Sequence, residues 1–435
     1  MKTPTITPMP PVATGVGLPW DVPMEDPVEA LAGARRSLGD TFVVDSGEDR
    51  YLFTFTPSGV RSFYALPEER ASKGVADWRM LRRKLPDEMF DGRRTLPHQL
   101  FGRDDVAAYL ANVERALDDT VLELGAAGEV EVFELTRRLG HRVGLASWGG
   151  PGSARGERFD ELCRAFDVLD GAESFVHPES MSEVAATAKA AEYEALGVIT
   201  RELAESLGEL PGHESDHPLF TRVAAAWADE PLGTSAIGVA RDVALIHIAS
   251  MSNLFAALGW NLIDLLSHPD EAARVRTGDR KLAEGCALES IRLAQRSIMA
   301  RYVLEPVTLD VGTVRHEVAA GATIATLLPL TNTSAAPGLE TWDPHHWNRR
   351  RLAGDSMPDV VELVTAFGHG RHTCPAQPFS LSAMTTAITR LLVEYELEPR
   401  WVGRPSPVRA QIGGVARSAA LCPLGFARRQ GPAVP

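Results

Sequence analysis

The 435-residue chain is short of cysteine, of basic residues and of uninterrupted apolar runs. Its four cysteines, Cys163, Cys286, Cys374 and Cys422, include no Cys-x-x-Cys pair. That excludes a disulfide framework and a zinc ribbon. Lys and Arg number 44 against 58 Asp and Glu, a formal charge of −14. Phosphate backbones attract the opposite sign, so nucleic acid is not an expected partner. The opening residues, MKTPTITPMPPVATGVGLPW, are proline-rich and hold no apolar stretch, so neither a signal peptide nor a membrane anchor is expected. The most apolar later segment, Val239–Leu266, is broken by Arg241, Asp242, His247, Asn253, Asn261 and Asp264. Such a polar load argues against a membrane span. The expectation is a soluble, cytoplasmic protein with no membrane contact.

What is present is ordinary globular composition, 44% apolar and 23% charged, which rules out a disordered chain. No repeat or low-complexity linker divides it. Residues 1–25 are expected to form an extended arm, and residues 26–435 one compact domain. Asp40 to Leu66 alternates and predicts short strands. Apolar residues between Asp104 and Leu124 recur at helical spacing. A long helix is expected from about Ala236 to Ser267, stopped by Pro269, and another from Asp279 to about Met299. Strand-like pieces follow at Val303–Val307, Val314–Val318 and Thr323–Leu328, then a helix over Ser380–Tyr395. The fold class is therefore mainly α with a minor β portion.

The informative stretch is Phe367-Gly-His-Gly-Arg-His-Thr-Cys-Pro-Ala376. Two glycines allow a tight turn, and one cysteine stands just before a helix. A thiolate at a helix N-terminus is stabilised by free N–H groups and the helix dipole, and such a thiolate suits haem iron. Spacing alone leaves two alternatives: a metal cluster of His369, His372 and Cys374, or a structural turn.

This loop resembles the haem-binding loop of the cytochromes P450, F-x-x-G-x-H/R-x-C-x-G. Phe367, Gly370, His372 and Cys374 fit, and Ala376 replaces the last glycine. Glu289-Ser-Ile-Arg292 stands where that family carries its structural E-x-x-R. The family's third partner is an arginine, and here Trp342-Asp-Pro-His-His-Trp347 puts His346 at that position, with Arg349 as a possible substitute. The resemblance implies a P450 fold and a haem b whose iron is held by Cys374, lined by Phe367. It implies propionate partners in Arg301 and His372. Arg94, four residues after Phe90, is expected as the third, ahead of Arg82 after Trp78.

In the same family the long helix carries an acid and a threonine that serve proton delivery. Here Ser252 and Asn253 stand at those positions, as expected catalytic residues. An asparagine amide donates a hydrogen bond but is a poor relay. The helix resembles that of cholesterol 7α-hydroxylase and prostacyclin synthase, one a monooxygenase and the other an isomerase of peroxides. The register implies a substrate pocket lined by His247, Ile248, Ser297, Ile298 and Met299, with Ala71–Met89 as a lid. What the resemblance implies is a haem-thiolate monooxygenase of soluble bacterial type, acting on a medium-sized, largely apolar molecule. Its electrons would come from a ferredoxin and ferredoxin reductase. A peroxide isomerase or dehydratase, or a haem-binding protein without turnover, are the alternatives.

Overall fold

In the computed structural model, residues 4–95, 97–100, 102, 105–170, 177–354 and 357–429 are described. The helices that shape the site are α1 (Lys73–Leu81), α2 (Asp105–Leu124), α3 (Val132–Trp148), α4 (Gly156–Asp170), α5 (Ala190–Glu209), α6 (Leu232–Leu266), α7 (Arg280–Ala294) and α8 (Gln377–Glu394). Helix α6 is 35 residues long and apolar nearly all round, the pattern of a helix buried on every side. It is long and apolar enough to cross a membrane, yet 72% of its most apolar window lies inside the protein. Helices α3, α4, α5, α7 and α8 surround it. Pro269, the expected stop, opens a further short helix, Pro269–Arg276, where its missing N–H costs nothing.

A five-stranded mixed sheet lies beside the helices. Its strands are β1 (Thr41–Ser46), β2 (Asp49–Thr54), β3 (Ala71–Ser72), β4 (Ile298–Val303) and β5 (Thr323–Leu327), in spatial order β1-β2-β5-β4-β3. Only β2 and β5 run parallel; the other neighbours are antiparallel. Strand β4 sets Arg301 opposite Ile324 of β5.

Three expected elements differ. The strand expected at Val303–Val307 is instead a bend between Ile298–Val303 and Val307–Asp310. The strand-like stretch ends at Thr54, and Pro57–Ala65 is helical. Thr56 accepts the N–H of Gly59, Pro57 opens the first turn, and Val60 and Phe63 are buried at i, i+3 spacing. The helix expected to reach Met299 ends at Ala294. Arg296 is caught by the C-terminal tail: its N–H donates to Gly414 O (2.8 Å) and its carbonyl accepts from Gly413 (2.9 Å). The chain then continues as β4. The N-terminal residues run extended but not free, since Ile6–Thr7 pairs with Arg315–Val318 and Leu18 and Trp20 are buried; residues 1–3 lie outside the described residues.

Candidate active site

The cysteine loop is a closed turn. Cys374 N–H donates to Phe367 O at 2.7 Å, and Thr365 Oγ1 accepts from Phe367 (3.1 Å) and Gly368 (2.6 Å). Gly368 has φ of 80°, and a Cβ there would sit 2.7 Å from His372 O, so only glycine fits. The loop ends just before α8, whose first N–H groups, those of Ala376 and Gln377, are directed at the Cys374 sulfur. Burial pushes the thiol above its ordinary value, against the pull of those donors and of Lys73. His369 Nε2 donates to Val364 O (3.0 Å), and the ring packs edge-on to Tyr64. No cluster of metal-ligating side chains forms among the described residues, so the zinc-like alternative has no geometry behind it.

Cys374 and Phe367 lie in the wall of a cavity of about 420 Å³. Ala249, Asn253 and Leu254 of α6 face it, as do Ser297 and Met299. A second cavity, also about 420 Å³, is lined by Ile248, Ala249, Ser252 and Asn253, by Trp78, Met80 and Leu81 of α1, and by Leu85 and Phe90. Ala249, Asn253 and Val415 border both. Beyond its exposed N-terminal turns (Leu232–Thr234 and Ile237), helix α6 is buried along most of its length, and Ala249 and Asn253, one turn apart, are exposed here. The expected lid thus supplies cavity wall through α1 and Leu85. Ile298 points away from Ser297 and Met299, as strand alternation requires, and lines a third cavity with Trp20, Tyr51 and Arg83.

At one edge of the cysteine-lined cavity the charges converge. An Arg301 Nη lies against His372 Nε2, and Arg301 also donates to Leu66 O and Ala71 O. Lys73 shares the cavity wall with His372. Glu68 Oε2 stands 3.5 Å from His372 and 3.9 Å from Arg301, without a hydrogen-bond partner. Arg301 Nε is buried and unpartnered as well. Burial lowers the pKa of both Arg301 and His372, and Arg301 lowers that of His372 further.

Behind the site, Glu289 and Arg292 are both fully buried on α7. Arg292 forks onto Glu289 at 2.6 and 2.9 Å and donates to Asn332 O and Leu339 O, each 2.6 Å. His346 Nδ1 meets Glu289 Oε1 at 2.9 Å, and Trp347 Nε1 donates to Oε2 at 2.8 Å. His346 therefore fills the third position, while Arg349 lies in a separate groove.

No family model matches the chain. Curated relatives do. Human 24-hydroxycholesterol 7-alpha-hydroxylase is 26% identical over 212 residues, 42% of this chain and 43% of that protein. Cytochrome P450 monooxygenase ausR of Aspergillus calidoustus is 33% identical over 104 residues, 23% of this chain and 20% of that protein. Cytochrome P450 monooxygenase ATR4 of Stachybotrys chlorohalonatus is 27% identical over 194 residues, 37% and 36% of the two chains. The matches span less than half the length of these relatives. The mainly helical fold with its minor sheet agrees with them. The fold is that of the cytochromes P450.

A P450 fold implies haem, and the residues present fit it. The N–H groups of Ala376 and Gln377 favour the charged form of the sulfur, and an electron-rich sulfur is what an iron ligand requires. Arg301, His372 and Lys73 gather where two propionates need cations, and the buried, unpartnered Arg301 Nε leaves donor capacity there. Ala376, in place of the last glycine, is buried beside the sulfur and closes that wall.

Two expected residues besides Ile298 are elsewhere. Arg94 does not reach the cysteine-lined cavity: it is ion-paired with Asp229 and Glu230 and lies over the Trp227 ring at 4.7 Å. No regular helix forms from Phe90 to Arg94 to carry the expected i, i+4 spacing, and Arg94 turns to residues 226–230, ahead of α6. His247 is not in the cavity wall either. It is buried on the opposite face of α6, with Nε2 2.9 Å from His141 Nδ1, and His141 Nε2 is 3.0 Å from Asp167. Burial drives its pKa well down, so it stays neutral. Lys73, Glu68 and Gly414 are the residues that sequence reasoning missed. Lys73 had a signal, a strand-like Ala71–Ser72 followed by a helix that would anchor its stem; Glu68 had none.

The propionate assignment has a direct test. An Arg301→Ala, His372→Ala double variant should hold haem at least about tenfold more weakly, as loss of charge-assisted hydrogen bonds requires. Transfer of haem to apomyoglobin measures this, and an unchanged rate would remove both residues from the role.

Proposed function

We propose that the protein is a haem-thiolate monooxygenase. It would place one oxygen atom from O2 into a medium-sized, largely apolar organic molecule. The observation that carries this reading is the shared border of two cavities. One holds the Cys374 sulfur, the other is walled by apolar residues of α1 and α6, and they meet at Ala249, Asn253 and Val415. Relatives named as P450 monooxygenases support it. Haem b held by Cys374 would supply oxygen activation, and the chain's own residues would place the substrate.

Electrons would come from a separate ferredoxin and its reductase. A groove of about 830 Å³ lies behind Phe367 and Gly368, walled by Arg349, Arg350 and Arg351, and Arg371 is exposed beside the same loop. An acidic ferredoxin has the charge to dock there. The protein would be soluble and cytoplasmic, of bacterial type; the burial of α6 marks that helix as part of the core.

Asn253 favours a second reading. Its Oδ1 accepts the N–H of Val415 at 2.8 Å, and Gly414 comes so close that a Cβ would lie 2.4 Å from that oxygen. Asn253 therefore clamps the 411–415 turn, with only its N–H donors left for the cavity. An isomerase acting on a peroxide needs no proton relay, so this arrangement also suits it.

One measurement separates the readings. Product and hydrogen peroxide are counted per NAD(P)H for wild type and Asn253→Ala. As a monooxygenase, the variant should lose product at least about tenfold and form peroxide instead, as for removal of a positioned donor. Equal coupling in both proteins would defeat the role of Asn253. Product made without any reductant would defeat the monooxygenase reading.

A further inference from the structure

The apolar cavity above α1 and α6 contains one cation without a satisfied partner. Arg93 lines it with Trp78, Leu81, Leu85, Phe90 and Ile248. Its Nε donates to Thr95 O at 3.0 Å. Among the described residues neither Nη group has a hydrogen-bond partner. The nearest carboxylate is Asp242, at 4.0 Å from Nε, beyond hydrogen-bonding range. Asp242 accepts through Oδ2 from Thr95 N (2.9 Å), Thr95 Oγ1 and Trp227 Nε1 (3.0 Å), while its Oδ1, the atom facing Arg93 Nε, is buried without a hydrogen bond.

The other charges of this cavity are settled within the protein. Asp77 is paired with Lys73, and Asp170 accepts from Arg417 at 2.8 Å. Arg93 is different: it is two-thirds removed from solvent, burial penalises its charge, and Asp242 offsets only part of that penalty from the Nε side, leaving both Nη groups without an anion. A cation held in an apolar pocket with free donors is a stored demand for an anion. Guanidinium meets a carboxylate through two parallel N–H groups, which fixes orientation as well as charge.

We propose that Arg93 is the anchor for a carboxylate on the substrate, so that the protein takes organic acids with an apolar body. The body would lie along Trp78, Leu85 and Ile248, and the end remote from the carboxylate would reach the border at Ala249 and Asn253. This rests on reading the cavity as the substrate pocket. It assigns the substrate a class, an apolar acid of a size that a cavity of about 420 Å³ accepts.

The test uses the haem-loaded protein and isothermal calorimetry, which reads binding whether or not the haem spectrum responds. Octanoic to hexadecanoic acids and abietic acid are each compared with the matching primary alcohol. The best acid should bind about tenfold to a hundredfold more tightly than its alcohol, the worth of a charge-assisted hydrogen bond. In Arg93→Gln that ratio should fall to near one, and Arg93→Lys should keep part of it. Arg93→Met serves where Arg93→Gln does not fold, and the wild-type comparison stands without either. Equal binding of acid and alcohol, failure of every acid to bind, or a preference that survives in Arg93→Gln overturns the proposal. A failed haem reading shows separately, as a missing thiolate band in the reduced carbon monoxide spectrum.

Discussion

The reduced wild-type protein should show a strongly red-shifted Soret band with carbon monoxide, and Cys374→Ala should abolish it. The other three cysteines cannot take over. Cys163, Cys286 and Cys422 are buried away from the cavity, and burial pushes the first two thiols to about 12 or beyond. Cys374 alone stands at its wall, with the N–H groups of Ala376 and Gln377 directed at its sulfur. Removing it should leave the turn intact, because that turn is held by backbone and by Thr365. The variant should therefore fold, and bind haem only through apolar contact and the cations at Arg301, His372 and Lys73. Cys374→Ser keeps the shape and replaces a soft ligand by a hard one, and it should lose the same band. A variant that kept the red-shifted band would place the ligand elsewhere, and zinc in place of iron in the wild-type protein would remove the haem reading.

Much of this was legible in the sequence, and the rest was not, for physical reasons. Phe367–Cys374 is a local motif: its turn, its glycines and the following helix depend on neighbours a few residues away. The long helix was legible because an apolar run with no proline has few alternatives, and its observed bounds differ from the expected ones by only a turn. The E-x-x-R pair was legible by position, and His346 takes the place beside Glu289 by filling the same volume with a ring nitrogen. Non-local choices were hidden. Whether Arg93 or Arg94 enters the cavity depends on a segment with little regular structure, where no period fixes which side chain points inward. His247 followed the long helix into the core, but a 3.6-residue period turns it to the face opposite Asn253, where Phe166 and His141 stack on it. Ile298 was expected on a helix; on a strand it points away from its two neighbours.

The largest expected effect on stability comes from Arg292→Leu. Arg292 and Glu289 are wholly enclosed, and each holds several polar groups of the chain. Arg292 holds the carbonyls of Asn332 and Leu339 at 2.6 Å and that of Thr341 at 3.3 Å. Glu289 holds Arg292, His346, Trp347 Nε1 and the N–H of Asp343. A leucine at 292 leaves a buried carboxylate with its main counter-charge gone and three carbonyls without that donor. Breaking a buried pair in this way costs about 3–5 kcal/mol. A domain is stable by only about 5–15 kcal/mol in all, so the variant should be largely lost to aggregation or unfold at a much lower urea concentration. Arg292→Lys should fall between, since an ammonium keeps the charge but cannot fork onto Glu289 while also reaching two carbonyls. The segment held by Arg292 and Glu289, from Asn332 to Trp347, leads into the cysteine loop through Asn332, which donates to Thr365 O and accepts from Thr365 N. Haem retention should therefore fall with stability in the lysine variant, although Arg292 does not line the cavity. Urea midpoints and haem transfer rates measured together decide this. A loss under about 1 kcal/mol in Arg292→Leu would mean that water enters and takes over the bonds. A lysine variant of lowered stability with haem held as firmly as in wild type would break the link from Glu289 through Asn332 to the cysteine loop.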